Sequence, residues 1–354
     1  MFDINFYMKL DELLGSLCAE QKYSIDEVYC MLEDIRSKNP IIYNIETTNR
    51  CNMKCKMCPR TTMMSRDIAD INYETFINVI NQVEPHTKDE WEKWVKFCKN
   101  KYGINENEMS ENHFFLYIIP RIIQLHGYGD PLLDKNMSNY IKALNKRGFY
   151  SYFSCNPANI NLDKTFEMME SGLDYIKYSI ESVDDAEHKK IRGEASNFNK
   201  SFNDIKEVIK FKEKANIKTE IIITMLDLNR KNQKEDYKKL RNAFNDLDVY
   251  IYLKSEDCQW YRKDYHGTKS IHWSEICKHP WMSMTVKSNG EATMCMEDFN
   301  NEIILGDVNN QSLKDIWNGE NYSKFRKQHL RASDNIKCVK QCDMSLIGDC
   351  YKIN

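Results

Sequence analysis

Three cysteines, Cys51, Cys55 and Cys58, stand in the stretch TTNRCNMKCKMC with the spacing C-x3-C-x2-C. A loop this short can wrap three thiolates around one iron–sulfur cluster. A four-iron cluster normally takes four cysteines, so three leave one iron open to chelate a small molecule. Zinc is the alternative occupant, but zinc sites usually close with a fourth nearby Cys or His. None stands in the dozen residues after Cys58. A second constellation, Cys277, Cys295, Cys338, Cys342 and Cys350, lies towards the C-terminus. Asn289-Gly290 is a hairpin turn signal, so 282–286 and 292–295 pair and fix Cys295 relative to Cys277. Cys18, Cys30, Cys98, Cys155 and Cys258 stand alone and read as small core residues.

Composition sets the frame for this chemistry. Thirteen cysteines in 354 residues, clustered in this way, point to metal rather than to a disulfide framework. Charged residues make up 29% of the chain and nearly cancel, giving a net charge of −3. No attraction to nucleic acid or to an acidic membrane follows. The first residues mix acids into an apolar stretch and lack the basic start and cleavage site of a signal peptide. The longest apolar runs, such as 221–225, are too short to span a bilayer. The expectation is a soluble cytoplasmic protein with no membrane or nucleic-acid partner.

The elements that must position these residues show as an alternation. Residues 1–40 read as two short helices packing on the main body, the second opened by the capping-box pair Ser24 and Glu27. Strands are expected at 41–47, 121–126, 149–154, 175–180, 219–225 and 248–253. Helices are expected near 73–83, 137–147, 162–171, 198–214 and 233–245. Six such units predict an α/β fold, a partial (β/α)6 TIM-like barrel over 41–265. An insertion at 84–119 carries a helical stripe of Trp91, Trp94, Val95, Cys98 and Tyr102, read as a packing face, with a lid or partner surface as the alternative. A small cysteine-rich domain follows at 266–354. In a helix-covered barrel the outward face is apolar. Ile41, Tyr43 and Ile45 are therefore assigned outward, which leaves Asn44 and Glu46 inward. Gln124, His126, Lys177, Ser179, Glu181, Tyr250, Tyr252 and Lys254 also point inward, so a polar interior is expected.

The cysteine loop, placed after the first strand, resembles the cluster loop of the radical S-adenosylmethionine (SAM) superfamily. In that family the open iron of a [4Fe-4S] cluster binds SAM. One electron then cleaves SAM to methionine and a 5′-deoxyadenosyl radical, which abstracts hydrogen from a substrate. One departure is Met57, where an aromatic residue is common. In LHGYGDPLL, Gly127, Gly129, Asp130 and Pro131 resemble the family's glycine-rich motif, with Asp130 in place of Glu. The resemblance implies that this turn meets the methionyl amino group. It also implies that Asn156, Ser179 and Glu181 lie near the ribose and that Arg192 pairs with the SAM carboxylate.

The tail, with CMEDFNNEIILGDVNNQSLKDIWNG, is similar to the SPASM or twitch extension. Its run is C-x3-C-x7-C rather than C-x2-C-x5-C-x3-C, so five cysteines cannot fill two clusters. The resemblance implies one auxiliary [4Fe-4S] cluster on Cys277, Cys295, Cys338 and Cys342, with structural zinc as the alternative. Cys350 is then spare, a substitute ligand or a hydrogen-atom donor. The expected activity is hydrogen abstraction from a polar, sugar- or aminoglycoside-like molecule, ending in two-electron oxidation. Asp298 is expected to take the proton, with Glu297 as its neighbour alternative, unless either only shapes the turn. The expected electron donor is a flavodoxin or ferredoxin. A peptide or protein maturase, a radical epimerase and a non-enzymatic scaffold or sensor are the other readings.

Overall fold

Residues 221–225 are buried without alternation, and all but Thr224 are apolar, because they are covered on both faces, the signature of parallel strands under helices. A computed structural model describes residues 1–17, 22–106, 110–254, 277–331 and 338, together with the backbone of 352–353. Cys18, Cys258, Cys342, Cys350 and the expected domain boundary near 265 lie outside the described residues. In chain order the strands are β1 (Lys22–Tyr23), β2 (Ile42–Ile45), β3 (Ile122–Gln124), β4 (Tyr150–Cys155), β5 (Tyr175–Ser179) and β6 (Glu220–Leu226). They continue with β7 (Tyr250–Lys254), β8 (Met284–Val286), β9 (Glu291–Thr293), β10 (Ile304–Asp307) and β11 (Lys352–Ile353). The main sheet has the order β10-β9-β8-β2-β3-β4-β5-β6-β7, and β1 pairs separately with β11.

From β2 to β7 every neighbour is parallel, with helices Tyr73–Ile80, Met137–Lys146, Leu162–Glu170, Phe198–Lys214 and Gln233–Ala243 among the connections. Ile123, Phe153, Ile176, Ile223 and Met225 pack beneath them in one core. This is the partial barrel that the alternation predicts. The hairpin expected around Asn289-Gly290 is present, and β8 runs parallel to β2. The extension therefore completes the barrel's own sheet.

Two expectations about faces need correction. A register shift between Ile42 and Asn44 puts Ile42 and Ile45 in the helix-side core. Tyr43 instead packs on the concave side, its ring 5.2 Å from that of His279. The interior is also more aromatic than polar, because the insertion fills it. Helix Lys88–Tyr102 starts at a Thr87/Glu90 capping box and buries Trp94 and Cys98. The Trp94 indole donates to the Leu116 carbonyl at 2.6 Å. Phe114 then stands against Tyr152 and Tyr252 at 5.5 and 5.6 Å, and the Lys177 ammonium lies 4.9 Å from its ring centre.

The N-terminal helices pack on the insertion and the extension. Ile4–Ser16 lies against the insertion, with Tyr7 and Trp94 in edge contact at 5.3 Å, and the Asp3 amide donates to the Met282 carbonyl at 3.0 Å. Cys98 and Cys155 are buried, but Cys30 is exposed, on the outer face of helix Ile25–Ile35. Among the described residues no helix is long and apolar enough to cross a membrane.

Candidate cofactor and active site

The cluster loop leaves the C-terminal end of β2 and folds back on itself. Asn49 brackets it by donating to the Asp67 carbonyl and accepting from the Ala69 amide, both at 2.8 Å. Within the loop, the Met53 amide points at Cys51 Sγ at 3.4 Å, and the Thr61 hydroxyl donates to the Cys55 carbonyl at 2.9 Å. Cys55 is buried, while Cys51 and Cys58 are half-buried. Burial pushes the Cys51 thiol up to about 12 and that of Cys58 to about 11.

The glycine turn after β3 is fitted to this loop. A Cβ on Gly129 would stand 2.2 Å from the Thr48 carbonyl oxygen and 2.9 Å from that of Arg50, so only glycine allows the approach. The Asp130 amide donates to the Arg50 carbonyl at 2.7 Å. The Asp130 carboxylate accepts from the amides of Leu132 and Asn156 at 3.1 and 3.2 Å, and from Asn159 Nδ2 at 2.7 Å. Burial raises its pKa, and these bonds oppose the rise. Asn159 in turn exchanges two amide hydrogen bonds with Asn52 of the cluster loop, at 2.8 and 2.9 Å. Asn156 is 4% exposed and its Nδ2 has no partner.

The end of β5 supplies the third wall. The Glu181 carboxylate pairs with Arg192 and accepts from the Leu226 amide at 2.8 Å. The Glu181 amide donates to Nδ1 of buried His188 at 3.3 Å. Arg192 Nη1 reaches Cys55 Sγ at 3.7 Å, and its Nε is buried without a partner. Burial alone would lower the Arg192 pKa, but Glu181 and Cys55 outweigh it and raise it. Ser179 is half-buried beside them.

Cys51, Cys55, Cys58, Gly127, Gly129, Asp130, Asn156, Glu181 and Arg192 thus share one end of the parallel strands, where α/β folds hold ligands. Among the described residues no three Cys, His, Asp or Glu side chains are gathered as a site for one metal ion. A four-iron cluster spaces its thiolates more widely than a single ion does. Three thiols on one loop and two orphaned donors beside it, Asn156 Nδ2 and Arg192 Nε, fit a cluster with an anionic ligand. Sequence reasoning placed Glu46 inward but missed its partner Arg66, and it missed Asn52, Asn159 and His188. No spacing rule marks contacts between residues so far apart.

In the extension, the Cys277 amide donates to His329 Nε2 at 3.1 Å, and burial pushes its thiol up to about 11. Cys295 follows β9 and its sulfur accepts from the Glu297 amide at 3.4 Å. Cys338 is buried in the main core. Both oxygens of Asp298 accept backbone amides of its own turn, Glu302 at 2.8 Å and Ile303 at 2.7 Å. Burial raises the Asp298 pKa against these bonds. Glu297 instead accepts from the Tyr128 hydroxyl at 2.8 Å, beside the glycine turn.

The chain belongs to the radical SAM superfamily: residues 45–241, more than half of its length, match that family. Residues 277–350 match the SPASM iron–sulfur cluster-binding domain. Membership implies [4Fe-4S] clusters and SAM as cofactors. A curated relative from Pyrococcus furiosus, the tungsten-containing aldehyde ferredoxin oxidoreductase cofactor-modifying protein, is 22% identical over 201 residues. The match spans 55% of this chain and 45% of that protein, so less than half of the relative's length is represented. The fold is similar to SuiB of Streptococcus suis bound to S-adenosylmethionine, with 13% identity, TM-score 0.53, and 90% of this chain and 77% of that one covered. It is also similar to a histidine-tagged anSMEcpe with bound AdoMet, with 13% identity, TM-score 0.51, and 86% and 84% covered.

Proposed function

We propose that this chain is a radical SAM oxidoreductase that removes hydrogen from a polar small molecule, sugar- or aminoglycoside-like, in a two-electron oxidation. The observation that carries the reading is the meeting of the cluster loop, the glycine turn and the Glu181–Arg192 pair at one end of the sheet. When bound, the cluster and SAM supply a 5′-deoxyadenosyl radical, which takes the substrate hydrogen. Cys51, Cys55 and Cys58 hold the cluster. Gly127, Gly129, Asp130 and Pro131 seat the methionyl end of SAM, Asn156, Ser179 and Glu181 face its ribose, and Arg192 meets its carboxylate. Cys277, Cys295, Cys338 and Cys342 hold the auxiliary cluster.

Oxidation of an alcohol carbon removes one hydrogen atom from carbon, one proton from oxygen and one electron. An auxiliary cluster held by Cys277, Cys295, Cys338 and Cys342 would supply the acceptor for that electron. The proton goes to Glu297 ahead of Asp298, because Asp298 already spends both oxygens on its turn. A flavodoxin or ferredoxin outside the chain supplies the reducing electron. Half-buried His126 after β3 and Lys254 at the end of β7 support a hydroxyl-rich substrate.

Anaerobically reconstituted, reduced protein tests the reading: it should release 5′-deoxyadenosine from SAM even without substrate. Release of S-adenosylhomocysteine alone would overturn it. With a substrate in hand, oxidation gives a product lighter by two hydrogens. Product of unchanged composition carrying one solvent deuterium, lost on Cys350→Ala, would instead make the chain an epimerase. Turnover of a peptide rather than a sugar would make it a maturase.

A further inference from the structure

Glu46 stands where three parts of the protein meet. It follows β2, is wholly buried, and its amide donates to the Val286 carbonyl of β8 at 2.8 Å. Its carboxylate accepts from Nη2 of Arg66 at 2.7 and 2.8 Å, and the Arg66 side chain is only 7% exposed. Oε1 also accepts from the Tyr128 amide at 3.2 Å. The Glu46 side chain fills the space a Cβ on Gly127 would need, with Cγ 2.5 Å from that point. So this one carboxylate sets both the position and the tilt of the Gly127-Tyr128 peptide.

Arg66 carries the connection onward. Its Nε donates to the Phe299 carbonyl of the extension at 2.6 Å. Alongside, Asn300 donates to the Met63 carbonyl at 3.1 Å and accepts from the Ser65 amide at 2.8 Å. The Tyr128 ring stacks edge-on against Phe299 at 5.9 Å. The turn and the extension are therefore tied twice, once through Tyr128 and once through Glu46 and Arg66. A buried pair of this kind is costly unless both partners are fully bonded, and here each has further backbone partners.

We propose that Glu46 is a positioning residue for the SAM-binding turn, and that through Arg66 it makes SAM affinity depend on how the extension is seated. This rests on the reading of residues 127–131 as the turn that meets SAM. The Glu46 side chain bonds to Arg66 and the Tyr128 amide and to none of the cluster cysteines. It acts by holding the Gly127-Tyr128 backbone.

The test uses the full chain, anaerobically reconstituted, with iron per chain and the SAM Kd measured by equilibrium dialysis. Glu46→Gln should keep its iron and weaken SAM at least about tenfold, since it removes the charge that holds Arg66 and turns the Oε2 acceptor into an N–H facing Nη2. Arg66→Gln should weaken SAM by a similar factor, and Arg66→Lys should restore part of it. The double variant Glu46→Gln/Arg66→Gln should bind about as weakly as either single one, the non-additivity expected of a coupled pair. Gly129→Ala is the reference, and it should lose SAM because its Cβ collides with the cluster loop. Wild-type Kd in both Glu46→Gln and Arg66→Gln, with Gly129→Ala still weak, would overturn the positioning role and leave the SAM site standing. Normal SAM binding in Gly129→Ala would overturn the site itself. Additive effects in the double variant would overturn the coupling. Should Glu46→Gln lose iron or solubility, the Kd values of Arg66→Gln and Arg66→Lys decide alone: unchanged binding in both overturns the proposal.

Discussion

Arg192 touches Cys55 twice: its Nη1 lies 3.7 Å from the sulfur, and its own carbonyl oxygen lies 3.6 Å from the same atom. The end of helix Asp185–Arg192 is thereby clamped on the cluster loop. The Lys56 amide donating to the Ile191 carbonyl at 2.9 Å makes a further bond. The guanidinium also neutralises Glu181, which is 1% exposed. Arg192→Gln leaves that carboxylate buried without its cation and should cost about 3–5 kcal/mol in a urea titration. Arg192→Gln with Glu181→Gln should recover much of this loss. A double variant as unstable as the sum of the singles would show that the pair is not coupled.

Iron counting separates the two cysteine groups. Reconstituted protein should carry about eight irons, as two four-iron clusters. Replacing Cys51, Cys55 and Cys58 by Ala should leave about four and abolish SAM cleavage. Replacing Cys277 and Cys295 should also leave about four but spare uncoupled SAM cleavage. Zinc in the extension would reject the auxiliary cluster.

Glu297 and Asp298 are adjacent but differently employed, so conservative substitutions should diverge. Asp298→Asn turns one amide acceptor into a donor facing an N–H, and should lower stability by about 1–3 kcal/mol. Glu297→Gln can still accept from Tyr128 but cannot take a proton. It should leave stability and 5′-deoxyadenosine release intact while product formation stalls. The reverse pattern in a product assay would return the proton to Asp298.

Acid should weaken the fold through His188. Burial pushes its pKa down to about 4, and its Nδ1 accepts the Glu181 amide, which requires the uncharged ring. The folded value lies below the unfolded one, about 6.5. The unfolded chain therefore binds the proton first. The stability tied to the neutral ring is whole above about pH 6.5 and is lost as pH falls towards 4, by roughly 3 kcal/mol. Urea midpoints across that range should fall less steeply in His188→Gln. Parallel slopes would remove His188 from the account.

What was legible in the sequence follows from the range of the interactions. The strands at 121–126, 149–154, 175–180, 219–225 and 248–253 announced themselves because short stretches rich in β-branched and aromatic residues alternate with helical stretches. Ser24/Glu27 was legible because a capping box spans four residues. Tyr43 was misplaced because a register shift breaks the period of two and leaves no mark in composition. Glu46 with Arg66, and Arg192 with Cys55, were invisible as pairs. Each joins residues that only the closed barrel brings together, and an arginine on a helix reads like any solvated one.

Ile42 and Met284 lie side by side in neighbouring parallel strands, although most of the chain separates them. During synthesis β2 leaves the ribosome well before β8 and must wait for it until the whole barrel has been translated. In that interval one rim of β2 presents bare peptide groups, a template for pairing with another nascent chain. Contacts so remote in sequence also form slowly. A product stopped at residue 254 should therefore scatter light as it is made, while the full-length chain under the same conditions stays clear. Loss of the residues after 254 is then a defect of folding before it is a defect of chemistry.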